Sequence, residues 1–339
     1  MALVKNLQKR WWQLLILGMA LALPHLLGSR YLFQIVLMGY LFSIATLSLN
    51  LILGYTGQAS LAHAGFFGIG AYGVALLTKA GISFWLALPF SALLSALVGF
   101  LIGLPTLRTR GSYFAISTLC FGVIISIVAG NWISLTGGYT GVVGIPPPTP
   151  VKLPWGGQIG FEDRMAQYYL VLGFLLFTLW VMNRLVHSLL GLSFMAVRNN
   201  ETLAGALGID TFRVKLLSFV VGNFLAGMAG GLYASLIGSI SPSTASMELT
   251  FNWLVYLLLG GVATLSGPIV GAFIIPLIME SLQFLAEYRM LIFGALLIAV
   301  IVYFPRGAMG AAEMLRQRVR GLLHRRREAT EGVVAGQEP

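Results

Sequence analysis

The stretch GYTGQASLAHAGFFGIGAYG, Gly54 to Gly73, is costly for its surroundings. Six of its twenty residues are glycine, and Gln58, Ser60 and His63 stand among them. Glycine in a helix interior costs about 1 kcal/mol against alanine, and polar side chains are expensive in hydrocarbon. Hydrocarbon is what the rest of the chain calls for. Of its 339 residues 58% are hydrophobic and 9% charged, against about 25% charged in a soluble domain. The composition excludes a separate soluble domain and points to an all-α, polytopic helical bundle in a membrane. Within such a bundle, a segment rich in glycine and polar residues marks close helix packing or a broken helix lining a cavity.

Apolar runs divide the chain into about ten candidate spans: Trp12 to Leu27, Tyr31 to Leu53, Phe66 to Leu77, Phe84 to Leu104, Tyr113 to Trp132, Gln167 to Leu185, Lys215 to Ile237, Phe251 to Leu265, Pro268 to Leu285 and Met290 to Phe304. A crossing takes about 20 residues, so Phe66 to Leu77 is too short to cross alone. Eight spans also fit if that run and the opening stretch are re-entrant. The opening KNLQKRWW is expected to precede a retained first span, because no small-residue cleavage site follows it.

The net charge of +10 follows topology rather than nucleic acid. Arg108 and Arg110, the segment from Arg184 to Lys215, and the arginines of the tail fall on one side when both termini are cytoplasmic. Only Arg30, Lys79, Lys152, Arg164 and Arg289 fall on the other. That segregation is the positive-inside pattern. It divides the chain into a membrane domain over 1–305 and a basic cytoplasmic tail over 306–339. In EMLRQRVRGLLHRRR, Glu313 to Arg327, the apolar residues share one face, as in a helix lying on anionic lipid. A solvated tail that only reinforces topology is the alternative.

A second stretch, GGVATLSGPIVG (Gly260 to Gly271), repeats the mixture of glycine, hydroxyl residues and a proline. Interrupted segments in the two halves of a transporter point to its pathway. Gly54, Gly57, Gln58, Ser60, His63 and Gly65 in the first, with Gly267 and Pro268 in the second, are the candidate pathway or helix-break residues. Each has a plainer role open to it: His63 as a neutral imidazole bonded to a carbonyl, and Gln58 and Ser60 as interhelical glue. The same holds for Asn50, Asn131, Asn223 and Asn252. Nothing forms a catalytic constellation, no spacing of the four histidines suits a metal, and the single Cys120 excludes an internal disulfide.

Two connections are long. The outer one, 133–166, is rich in Gly and Pro and is no simple helix; it is either a surface connector or a rim that receives a partner. The inner one, 192–215, contains RNNETLAGALGID, where a helix is expected to start after Asn199 and Asn200 with Glu201 in its first turn. Glu201, Gly205 and Gly208 fall at i, i+4 and i+7 beside Ala204, giving a narrow face of small side chains, and Gly208 is placed to end the helix.

RNNETLAGALGID resembles the cytoplasmic coupling-loop motif of ABC importer permeases, with Arg198, Glu201, Ala204 and Gly208 on the pattern. NLILGYTGQASLAHAGFFGIGAY, LPTLRTRGSYFAISTLCFG, TGGYTGVVGIP and LLGGVATLSGPIVGAF resemble the branched-chain amino acid importer permeases of the LivM kind, in the same order, from about Asn50 to Pro305. The resemblance implies an inner-membrane permease subunit of an ATP-driven importer. It would carry branched-chain or other hydrophobic amino acids by alternating access, or else urea, short amides or aromatic compounds. It also implies a sister permease in a heterodimer, two cytoplasmic ATPases that use ATP, and a periplasmic binding protein docking on the outer loop. The chain has no G-x-x-x-x-G-K-[ST] loop, so it is expected to be neither an enzyme nor a cofactor binder itself. An ATP-independent carrier or channel is the alternative of another class; the lack of paired intramembrane carboxylates argues against proton coupling.

Overall fold

The computed structural model describes residues 18–25, 30–109, 111–152, 158–161 and 163–281, together with 294, 298, 307 and 310. Half of the expected first span, most of the expected last span and of the basic tail, and Arg110 and Arg289 lie outside them. Helix α1 occupies 18–25 and α2 Arg30–Leu49. A π-helical turn, Asn50–Tyr55, continues α2. There follow α3 (His63–Lys79), α4 (Phe84–Thr106), α5 (Ser112–Asn131), the single turn α6 (Ile133–Thr136) and α7 (Arg164–Val186). Helices α8 (Leu189–Asn199), α9 (Glu201–Ala206), α10 (Thr211–Ile237), α11 (Met247–Gly260) and α12 (Gly267–Ser281) complete the described bundle. Among the described residues five helices are long and apolar enough to cross a membrane: α2 with its π-turn, α4, α5, α7 and α10.

The spans begin and end close to the expected bounds except at the glycine-rich segments. There the third run lengthens to the 17 residues of α3, because Gly65, Gly68 and the residues around them remain helical. The expected run Phe251 to Leu265 stops at Gly260 instead. Helices α11 and α12 form an antiparallel hairpin: a Cβ on Gly260 would strike the Gly267 carbonyl, and one on Gly271 the Tyr256 carbonyl. At 14 and 15 residues each is shorter than the ~20 residues that a crossing takes.

Helix α10 is the central post. Its 27 residues expose backbone on several sides, since a Cβ at Gly222 would lie 2.6 Å from Ile52, at Gly227 2.5 Å from Ser95 Cβ, and at Gly231 2.6 Å from Val74. Gly230 lies against the Phe67 carbonyl and Gly70 against Gly227. With no hydrophobic force between helices in lipid, such close approach lets van der Waals packing do the work. Ser95 Oγ adds polar contact, 3.0 Å from the Phe66 carbonyl and 2.9 Å from that of Asn223. A second seam joins α2 to α7 and α12, through the Tyr40 and Tyr168 hydroxyls at 3.0 Å and the edge of Tyr40 against Phe273. The outward faces of α4, α5 and α7, with Phe90, Leu93, Leu97, Ile124, Ile127, Phe177 and Trp180, are exposed and apolar.

The two ends of the bundle differ. At one end the 133–166 connection is tied down: β1 (Val142–Val143) pairs antiparallel with β4 (Ser239–Ile240) just beyond α10, and β2 (Val151–Lys152) with β3 (Gln158–Ile159). The Trp85 indole donates to the Thr149 carbonyl at 3.0 Å, and Lys79 to that of Val143. The α8–α9 connection lies at the opposite end.

The packing yields a test. Gly230→Leu forces a side chain into the α3 backbone and is expected to cost about 1–3 kcal/mol, read as a lowered melting temperature in detergent. Gly173→Leu, on the exposed side of α7 with open space around it, is the control and leaves the melt unchanged.

Candidate functional site

At the first break, α2 ends because Gly57 takes a left-handed conformation, φ +74°, open to glycine at little cost. The Gly57 and Gln58 N–H groups turn back onto the Leu53 and Ile52 carbonyls at 3.1 and 3.0 Å. The Thr56 hydroxyl donates to Ile52 at 2.6 Å. The chain then runs as irregular backbone to His63, where α3 starts. Non-helical backbone inside a membrane needs protein partners, and side chains from distant helices supply them. Leu61 N–H donates to Thr118 Oγ1 of α5 at 3.1 Å, and Ala64 N–H to Thr250 Oγ1 of α11 at 2.9 Å.

His63 is fully buried, edge-on to Trp253. Its Nε2 lies 2.7 Å from Ser48 Oγ and 3.2 Å from the Ala45 carbonyl. Gly65 lies against α5, where a Cβ would come within 3.0 Å of Ile125. Ser60 is buried with its hydroxyl unpartnered, and so is the Gln58 Oε1. Of these candidates, Gly57 and Gln58 line a cavity of about 500 Å³ between the first break, the α4–α5 turn and the α8–α9 connection; Ser60, His63 and Gly65 do not.

The second break, 261–266, is the tip of the α11–α12 hairpin. Gly261 has φ +126° and Ala263, unusually for a residue with a side chain, φ +59°. Thr264 Oγ1 donates to the Gly261 carbonyl at 2.8 Å and accepts from Gly267 N–H at 3.0 Å, so it caps α12. Pro268 stands in the first turn, where its missing N–H costs nothing. Asn50, at the start of the π-turn, bonds the tip through both ends of its amide, to Thr264 O and Ala263 N. Gly54 leaves room for that amide, since a Cβ there would overlap it.

Under the first break lies the α8–α9 connection. Helix α9 starts as its sequence suggests, with Asn200 Oδ1 accepting from Leu203 N–H at 3.0 Å. It ends at Gly208, φ +86°, in a Schellman arrangement: Gly208 N–H bonds to Gly205 O at 3.0 Å and Ile209 N–H to Ala204 O at 3.1 Å. The anticipated small face is divided. Ala204 is buried and Glu201 turns inward, 2.5 Å from the ammonium of Lys215 at the foot of α10. Gly205 and Gly208 face open space beside the exposed Leu203 and Leu207. Arg198 packs on Gly57: a Cβ on that glycine would stand 3.2 Å from Arg198 Cγ and 3.5 Å from its Cα. Arg198, Glu201 and Lys215 all line the cavity.

The fold is that of a multi-pass helical membrane protein with two broken segments and a structured loop beneath one of them, the layout of a transport component. The family model described as branched-chain amino acid transport system / permease component matches residues 31–301. The chain is 34% identical over 322 residues to the high-affinity branched-chain amino acid transport system permease protein LivM of Salmonella typhimurium, covering 90% of this chain and 76% of that one. It is also 34% identical over 312 residues to LivM of Escherichia coli, covering 87% and 73%. The LivH permease protein of Escherichia coli matches at 25% over 298 residues, 84% of this chain and 96% of LivH. No solved structure matches. The chain belongs to the branched-chain amino acid transport permease family and is a transport subunit.

The Glu201–Lys215 pair makes a prediction about the loop. Lys215 keeps only 9% of its side chain exposed, so leaving its charge unpaired costs about 1–3 kcal/mol. Glu201→Lys is expected to lower the melting temperature, and Glu201→Lys with Lys215→Glu to recover most of it.

Proposed function

We propose that the chain is the inner-membrane permease subunit of an ATP-driven importer that moves branched-chain or other hydrophobic amino acids by alternating access. The observation that carries the mechanism is the seat of Arg198 on Gly57. The loop that resembles a coupling element rests on the broken end of α2, so a push on the loop is delivered to the irregular segment. The Glu201–Lys215 pair holds the same loop to α10. Leu203 and Leu207 are 58% and 73% exposed and offer an apolar surface for a cytoplasmic ATPase. Two such ATPases use the ATP. A sister permease completes a heterodimer, a role that the likeness to both LivM and LivH supports. A periplasmic binding protein docks on the 133–166 rim. In this assignment the arginine-bearing α8–α9 end is cytoplasmic.

Reconstitution tests the function. The permease pair with its ATPases and binding protein, in proteoliposomes, is expected to take up leucine, isoleucine or valine only with ATP. Uptake without ATP would make it a carrier; uptake of urea, short amides or aromatic compounds in preference to these amino acids would move the substrate.

Two variants test the coupling. Gly57→Leu places a side chain both in a left-handed position and against Arg198, and is expected to reduce uptake at least ~10-fold while the protein stays in the membrane. Leu207→Glu disturbs no packing within the chain and is expected to weaken co-purification of the ATPase. It is a cleaner probe than Gly208→Trp, which also strains the backbone at φ +86°. For topology, single cysteines at Arg108 and Arg198, in a Cys120→Ser background, are expected to resist labelling from outside whole cells, and one at Lys152 to be labelled.

A further inference from the structure

One side chain joins the two breaks. Asn50 is fully buried; its Nδ2 donates to the Thr264 carbonyl at 2.7 Å and its Oδ1 accepts from the Ala263 N–H at 2.9 Å. These are adjacent peptide groups at a hairpin tip, left without helical partners where α11 has ended and α12 has not begun. Among the described residues the two breaks share no other side-chain hydrogen bond. The clasp is shaped on both sides. Gly54, one turn on, has no side chain to displace the amide, and a Cβ there would stand 2.9 Å from Ala263 N. Ala263 holds φ +59°, a conformation that L-residues seldom adopt and that persists where its surroundings fix it.

We propose that Asn50 is a positioning residue for transport: it fastens the hairpin tip to the end of α2, so that the two breaks move as one body. The proposal rests on the transport reading above. Its mechanical basis is short. Arg198 presses on Gly57, the π-turn Asn50–Tyr55 connects Gly57 back to Asn50, and Asn50 holds residues 263 and 264. A π-turn inside a helix is itself a feature that recurs at functional sites. A displacement of the loop thus reaches the second half of the chain, 213 residues on from Asn50, without passing through the hairpin's helices. An amide suits the task because it sets a donor group and an acceptor group side by side in a planar fork. Aspartate keeps the acceptor but sets an oxygen against the Thr264 carbonyl. Leucine matches the size and makes neither bond.

The test uses the assembled transporter in proteoliposomes, in a Cys120→Ser background. Asn50→Asp is expected to lower uptake about tenfold, the factor that one buried hydrogen bond carries, and Asn50→Leu, which loses both bonds, by at least as much. ATP hydrolysis stimulated by the binding protein stays within about twofold, because the loop and its surface are untouched. A residue that only stabilised the fold would lower both together and leave the solute moved per ATP unchanged. A covalent clasp then replaces the hydrogen-bonded one. Asn50→Cys with Ala263→Cys is expected to be weak in uptake when reduced, to recover when the thiols are joined by an added oxidant or by a short bis-methanethiosulfonate, which forms a disulfide with each cysteine and releases two sulfinates, and to weaken again on reduction. Wild-type uptake per ATP in Asn50→Leu overturns the proposal. So does a joined pair no more active than its reduced form, since the breaks would then have to part during the cycle. If the wild-type transporter moves another solute, the same comparison is made with that solute, so an error of substrate is told apart from an error about the clasp.

Discussion

A peptide group freed by a broken helix inside a membrane must be bonded by the protein, because hydrocarbon offers it nothing. That requirement organises this chain. The first break leaves the N–H groups of Leu61 and Ala64 to be met by hydroxyls of α5 and α11, and the second leaves those of Ala263 and Gly267 to Asn50 and Thr264. Three helices, α2, α5 and α11, are thereby tied to the breaks by their polar side chains. The first break accounts for Thr118 and Thr250 in α5 and α11, and the second for Asn50 at the end of α2.

The glycines answer the second half of the same problem. Short irregular segments reach distant hydroxyls only when the helices around them stand close. Gly65 and Gly122 bring α3 and α5 together beside the first break, and Gly70, Gly227 and Gly230 bring α3 against α10. The cost of glycine in a helix, about 1 kcal/mol each, is offset here by backbone contact that no larger residue permits. Gly54 and Gly57 do something different. They are the points at which a side chain rests on bare backbone, Asn50 from one turn back in the first case and Arg198 from the α8–α9 connection in the second. The chain thus uses one residue type for close packing at some positions and as a bearing surface at others.

Much of this was legible in the sequence, and the gaps have physical causes. Hydrophobic length placed α4, α5, α7 and α10 within a few residues. Composition marked both breaks, and Asn200 and Gly208 marked the ends of α9. The third span read too short because His63 and the glycines beside it lower the apolar signal of a stretch that is helical anyway. Helix α8 was missed because its buried side is only Gly191, Phe194 and Val197, too narrow a stripe to stand out beside the preceding span. The β1–β4 pair was hidden because two residues on each side carry no periodicity. Glu201 was visible as a motif residue, yet its inward turn to Lys215 was not: a lysine at the foot of a span reads as a topology signal. Asn50 was one of several lone amides in apolar runs, and only the fold brings Ala263 and Thr264 to it.

The distribution of unsatisfied polar atoms separates the two breaks in kind. At the hairpin tip, Asn50 and Thr264 use both their donors and their acceptors on the backbone around 261–267. At the first break side-chain atoms are left over: Gln58 Oε1, Ser60 Oγ and His63 Nδ1 are buried without partners. Buried polar groups in folded proteins are nearly always bonded, and those that are not call for an explanation in function or in ordered water. A segment that must only be held needs no spare donors and acceptors. The spare groups lie along the same short stretch that Arg198 presses from below, and Gln58 already faces the cavity there. Residues 57–63 thus hold spare side-chain partners beside the contact with Arg198, whereas the amide of Asn50 and the hydroxyl of Thr264 are spent on the hairpin tip.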